Sequence, residues 1–299
     1  MVIMNIDYQL IHLYCVVCHL YNTTLVVDAQ RTSNNFLPKF TDEECLTIVL
    51  WGLANRKFTC IDVYKFAKTF YMDWFPDLPN YSSFNSRICY LSDAIKTMAS
   101  ELLGQLLPDS DCLTYLIDSM PIVLANAKRS GRAKVARDLC DKGYCDSKKM
   151  WYYGVKIHAL GLSQYKALPL PRQLLLTSAS IHDRKAAVEI FEDIYGIDVF
   201  ADKAYIHKDW QNYLSENNHV EIITPVKLNK AQDYLDSSDS LFSAAVSRVR
   251  QPIESFFNWL HQLTNIQNAS KVRSSNGLVS FVFARISLAC LVISGALAL

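Results

Sequence analysis

Three carboxylates stand out by their settings rather than by their number. Asp118 closes the apolar run TYLID, Asp202 closes DVFAD, and Glu254 lies in the amphipathic run SRVRQPIESFFNWL. An apolar strand that ends on a bare aspartate leaves a charge in need of solvent, a partner or a cation. Singly, each aspartate also reads as a helix N-cap or a turn former. Together they sit in an element order that sets the ends of two neighbouring strands beside a following helix. Three carboxylates meeting there repel one another unless a divalent cation neutralises them. Mg²⁺ suits such a set, and a two-cation site of this kind performs in-line phosphoryl displacement. Arg250 lies one helical turn before Glu254 on the same face, either as its ion-pair partner or as a phosphate contact.

The composition removes other routes to phosphate chemistry. Only nine glycines occur in 299 residues and no two form a G-x-G pair, which excludes Walker A and dinucleotide-binding loops. H-E-x-x-H and G-x-S-x-G are absent as well, so zincin proteases and the usual serine hydrolases are set aside. Net charge is only +1, yet residues 128–158 carry nine basic against three acidic residues. Lys128, Arg129, Arg132, Lys134, Arg137, Lys148 and Lys149 in that stretch are expected to meet a nucleic-acid backbone. Trp151, Tyr152 and Tyr153 follow it and serve either packing or base stacking.

Nine cysteines without a cationic N-terminal leader point to reduced thiols and a cytoplasmic setting. Cys15, Cys18 and His19, or Cys140 and Cys145, would have to supply any zinc site. Their spacing falls short of four ligands, so they read as small buried hydrophobes. The apolar C-terminal stretch 278–299 is interrupted by Arg285. Its uncharged remainder is too short for a bilayer and reads as a core helix, so no membrane partner is expected.

The elements that must position these residues divide the chain at about residue 110. Residues 1–110 read as an α-helical N-terminal domain, with N-terminal start signals at Thr41/Glu44 and Thr59/Asp62 and one long helix over about 83–107 stopped by Pro108. These helices either lie on DNA ends or form a plain packing domain. Residues 111–299 read as an α/β domain: strands at 112–118, 151–160 and 172–179, a helix over 184–195, a strand at 196–202, a helix over 208–217, a strand at 220–226, and closing helices. That is the order of a ribonuclease-H-like mixed five-stranded sheet flanked by helices.

Here the residues resemble a known family. The segments YLIDSMPI, KRSGRAKVARDLCDKGYCDSKKMWYYGVKIHALG, FADKAY, VRQPIESFFNWL and IQNASKVRS, in this order, are similar to DDE transposases of bacterial insertion sequences, specifically those of insertion-sequence family 982. The resemblance implies a catalytic and metal-binding triad of Asp118, Asp202 and Glu254. It also implies Mg²⁺ or Mn²⁺ as cofactor, and transposon-end and target DNA as partners in a homodimeric synaptic complex at the bacterial nucleoid. Arg250 matches the arginine of the family's Y-R-E-K signature, whereas Ser247 and His261 stand where its tyrosine and lysine would be. Two other readings stay open: an inactive DNA-binding relic, and a ribonuclease-H-like nuclease that hydrolyses without rejoining.

Overall fold

The computed structural model describes residues 6–31, 38–107, 114–146, 148–228 and 234–298. The predicted stop at Pro108 and the start of the first predicted strand, residues 112 and 113, lie outside the described residues. Two compact units emerge, one of 1–106, 134–138 and 260–299, the other of 107–133 and 139–259. The predicted division placed everything after residue 110 in one domain; the structure instead groups 134–138 and the C-terminal forty residues with the N-terminal helices.

The helical unit contains α1 (Ile6–Thr23), α2 (Asp42–Ala54), α3 (Cys60–Phe70), α4 (Tyr81–Tyr90), α5 (Ser92–Gly104) and, after a gap of more than 150 residues, α10 (Ser275–Ile293). The Thr41 hydroxyl accepts from the Glu44 N–H at 3.3 Å and the Glu44 carboxylate accepts from the Thr41 N–H at 2.7 Å, so the first turn of α2 is closed from both sides. Thr59 caps α3 by accepting from the Asp62 N–H at 3.2 Å. The single helix expected over 83–107 is two helices. Leu91 ends α4 and precedes α5 while remaining fully buried, so the hydrophobic spacing runs through the break without registering it.

Helix α10 packs chiefly against α5, with further contacts to α2 and α4. Its apolar window has a mean hydropathy of 1.9, yet 67% of that window is buried within the protein. Arg285 explains how a charge is tolerated there. Its guanidinium donates to the Thr264 carbonyl at 2.9 Å, the Phe281 carbonyl at 2.9 Å and the Phe58 carbonyl at 2.6 Å, and lies 3.5 Å from the Phe281 ring centre. Burial pulls it down to about 9.

The α/β unit is built on β1 (Thr114–Asn126), β2 (Asp141–Cys145), β3 (Met150–Leu162), β4 (Leu170–Ser178), β5 (Ile197–Phe200) and β6 (Val220–Ile223). The strand order is β2-β3-β1-β5-β6, with β4 also paired to β3. β1, β2 and β4 run antiparallel to β3, while β5 and β6 continue in parallel from β1. Six strands replace the expected five because Asp141–Cys145 forms a strand. Only its Gly143 and Cys145 turn inward, so a charged edge strand reads as a basic turn. β2 and β4 take successive halves of β3, and a Cβ on Gly143 would lie 2.2 Å from the Ala179 carbonyl oxygen, which makes glycine necessary there.

Helices α6 (Ala127–Ser130), α7 (Asp183–Ile190), α8 (Lys208–Asn218) and α9 (Ser237–Thr264) complete the unit, the last turn of α9 falling in the helical unit. Ala187, Ile190 and Phe191 of α7 and its following turn join Tyr115, Ile117, Leu160 and Val199 in one core.

Candidate active site

Asp118 does not end its strand, contrary to the expectation from TYLID. β1 runs on through Pro121 to Asn126, paired with β3, while β5 pairs only with Thr114–Leu116. Beyond Leu116 no strand among the described residues pairs with β1 on its β5 edge, a setting in which a sheet tolerates Pro121. Leu116 pairs with Phe200 in this parallel register. Asp118 and Asp202 each stand two residues farther along, and Asp202 lies near enough for its charge to act on the Asp118 carboxyl.

Glu254 comes from α9. Arg250, four residues earlier, donates from Nη1 to Asp118 Oδ2 at 2.6 Å and from Nη2 to Glu254 Oε1, so one guanidinium joins two of the three carboxylates. The Asp118 Oδ1 accepts from the Ser119 N–H at 2.8 Å. Asp202 is exposed, begins a 3-10 turn at Lys203–Tyr205 and accepts from the Lys203 N–H at 2.6 Å.

The electrostatics record how crowded the negative charge is. Burial pushes the Asp118 carboxyl up to about 6; Arg250 and the Ser119 N–H oppose this, while Asp202 and Glu254 reinforce it. Burial would weaken the Arg250 proton, but Asp118, Glu254 and Asp202 outweigh it and hold the guanidinium above its ordinary value. Among the described residues no three His, Cys, Asp or Glu side chains are close enough to hold a metal as they stand. The donor set nevertheless fits a hard divalent cation. All three groups are carboxylates, and at half-buried Asp118 the neighbouring Asp202 and Glu254 add to burial in disfavouring the charged form, a conflict that a cation would relieve.

A family comparison decides the class of this unit. A family model described as "Transposase DDE domain" matches residues 94–275, more than half of the 299-residue chain. The chain belongs to the transposase DDE-domain family. A search of curated proteins gives no match. Family membership makes this transposase a DNA-acting enzyme in general terms, and the matched span contains Asp118, Asp202, Arg250 and Glu254.

The transposase's basic segment is divided between the units. Lys128 and Arg129 lie exposed on α6, with exposed Arg132 just beyond; Lys148 and Lys149 are exposed in the β2–β3 turn. Lys134 and Arg137, also exposed, fall in the short segment assigned to the helical unit. Lys156, one of the nine basic residues of 128–158, turns inward, donating to Asp183 Oδ1 and to the Ile181 carbonyl, each at 3.0 Å. The aromatic run splits likewise. Tyr152 and Tyr153 are buried, whereas Trp151 is 51% exposed, 5.2 Å from the Tyr144 ring and 4.7 Å from Lys142 Nζ.

Of the cysteines considered for zinc, Cys140 and Cys145 are buried as small hydrophobes, but Cys15 is exposed and Cys18 half-buried. Sequence reasoning missed Ser119 on β1 and His158, Asp183 and Tyr205 near it. The signal was present in KIH at 156–158 and IHD at 181–183, but His-Asp before a helix reads first as a cap, and His182 does accept from the Arg184 N–H.

Proposed function

We propose that this transposase binds insertion-sequence ends and catalyses metal-dependent DNA strand cleavage followed by strand transfer, through Asp118, Asp202 and Glu254 on a ribonuclease-H-like sheet. The observation that carries this reading is that Arg250 bonds to both Asp118 and Glu254, while Asp118 and Asp202 each follow by two residues the last pair of the β1–β5 ladder. The strand order, with three antiparallel strands continued by two parallel ones, supports the fold assignment, β2 being an addition.

Asp118, Asp202 and Glu254 would hold Mg²⁺ or Mn²⁺, which when bound supplies charge neutralisation for an in-line phosphoryl displacement. In cleavage, water forms a bond to the phosphorus at the element's end as the bond to the 3′ oxygen breaks. In strand transfer that freed 3′-hydroxyl attacks a target phosphodiester, again making one P–O bond and breaking one. Arg250 offsets carboxylate charge in the absence of DNA and turns one or more of its donors to a phosphate when DNA arrives. Ser247 and His261 leave it as the single side chain of the Y-R-E-K signature next to Glu254.

Lys128, Arg129, Arg132, Lys134, Arg137, Lys148 and Lys149 contact the DNA backbone, and a homodimer holds two ends. Binding should therefore weaken steeply between about 50 and about 200 mM salt. Exposed Trp151, with Lys142 against its ring, is the stacking residue of the aromatic run. Trp151→Ala is expected to lower affinity for DNA carrying unpaired bases about five- to a hundredfold, from the ~1–3 kcal/mol of a base–aromatic stack, and to spare fully paired duplex. Fluorescence anisotropy with the two substrates checks this; equal losses on both would remove the stacking role.

The deciding experiment incubates labelled end DNA with a supercoiled plasmid and Mg²⁺, alongside a gel shift. Covalent joining supports the proposal. Cleavage without joining identifies a nuclease, and binding without cleavage in either Mg²⁺ or Mn²⁺ identifies an inactive relic.

A further inference from the structure

A second polar group is packed against the same strand, on the side away from the Asp118 carboxylate. Successive residues of a strand face opposite ways, so Ser119 turns from Arg250 towards the start of α7. There one oxygen, Asp183 Oδ1, accepts from Ser119 Oγ at 3.1 Å and from Lys156 Nζ at 3.0 Å. His158, directly opposite Ser119 in the β1–β3 register, is fully buried. It is hydrogen-bonded through Nε2 to Thr177 Oγ1 at 2.9 Å, with Nδ1 3.9 Å from the same Asp183 oxygen. A single carboxylate thus ties β1, β3 and α7 together beside Asp118.

The position of this tie matters because of what β1 lacks. Its pairing with β5 stops at Leu116, so among the described residues β3 alone pairs with it at Asp118. A favourable place for an acidic residue at a helix start accounts for an aspartate in the first turn of α7. It does not account for that aspartate receiving a serine from one strand and a lysine from the next.

We infer that Asp183 is a positioning residue for Asp118, holding β1 through Ser119 where the strand has lost its parallel neighbour. The inference rests on the reading of Asp118 as a metal-binding carboxylate. Groups that orient metal ligands from behind change metal affinity or activity by about 10–100-fold when removed.

The test compares the full-length wild type with Asp183→Ala, Asp183→Asn, Ser119→Ala and Asp118→Asn. Mn²⁺ binding is measured by EPR titration and end cleavage is measured against Mg²⁺ concentration. Asp183→Ala should weaken Mn²⁺ binding about tenfold and raise the Mg²⁺ needed for half-maximal cleavage in parallel. Asp183→Asn keeps an oxygen that accepts from Ser119 and should recover most of the loss. Ser119→Ala deletes only the hydroxyl and should repeat the defect in milder form, which keeps the test decisive if Asp183→Ala fails to fold. Wild-type Mn²⁺ affinity in both Asp183→Ala and Ser119→Ala, with Asp118→Asn defective, overturns the positioning role alone. Wild-type affinity in Asp118→Asn, or no Mn²⁺ binding by the wild type, overturns the reading of Asp118 and this inference with it.

Discussion

Asp118→Asn is expected to reduce Mg²⁺-dependent cleavage of end-containing DNA on the order of a thousandfold while leaving DNA affinity nearly intact. The substitution keeps the shape of the side chain and its acceptor for the Ser119 N–H, but removes the charge that would hold the cation. It should also separate function from stability. The folded state holds the Asp118 proton more tightly than the unfolded chain does, with the carboxyl raised to about 6 by burial. Stability from this group is therefore full below its ordinary value near 4 and lost as pH rises to about 6. Without divalent cation at pH 7.5 the wild type is ionised there at a net penalty. With the side chain 21% exposed, solvent screening trims that penalty to about 1–3 kcal/mol. Asp118→Asn should thus melt a few degrees higher than the wild type in EDTA, and Mg²⁺ should stabilise the wild type only. Undiminished cleavage by the variant would remove Asp118 from the chemistry.

The four residues of the candidate site were legible because each carries a local signature: an aspartate after an apolar run twice, and an arginine and glutamate one helical turn apart. What surrounds them was less legible, for physical reasons that differ case by case. Asp118 read as a strand end because Ser119, Met120 and Pro121 interrupt the β-branched run. In the fold the strand survives them through its pairing with β3, and no strand among the described residues pairs with it on the β5 edge beside Pro121. β2 escaped notice because an edge strand that presents Asp141, Lys142 and Tyr144 outward has too few inward residues to alternate visibly. The assignment of α10 to the helical unit depends on contacts with α5 made across about 170 residues of chain, and no window of sequence contains that information. Asp183 shows the same limit at the site: its partners lie 64 and 27 residues away.

The helical unit has its own charged centre, and the largest stability effect is expected there. Asp42 is only 4% exposed, at the start of α2. Its carboxylate accepts from Arg31 Nη2 at 2.8 Å, Arg87 Nε at 2.6 Å, Arg87 Nη2 and the Tyr21 hydroxyl at 3.0 Å. Arg87 donates further to the Ala29 carbonyl at 3.1 Å. One acid therefore satisfies donors from three separate segments. Burial pushes the Asp42 carboxyl up, but the hydrogen bonds and charges of Arg87 and Arg31 outweigh it and hold the group below its ordinary value. Asp42→Ala leaves two largely buried guanidiniums without their shared anion, a loss of about 3–5 kcal/mol. At roughly 2–4 °C per kcal/mol for a unit of this size, the melting temperature should fall by about 10 °C. Asp42→Asn keeps one acceptor and should lose less. The sign with pH is opposite to that at Asp118. The Asp42 contribution is present above the ordinary carboxylate value and lost as pH falls through its lowered one, so the gap between wild type and Asp42→Ala should be widest near neutrality and close in strong acid. Thermal melts at pH 7 and near pH 3 measure both. A gap independent of pH would mean that packing around Asp42, rather than its charge, holds these helices together.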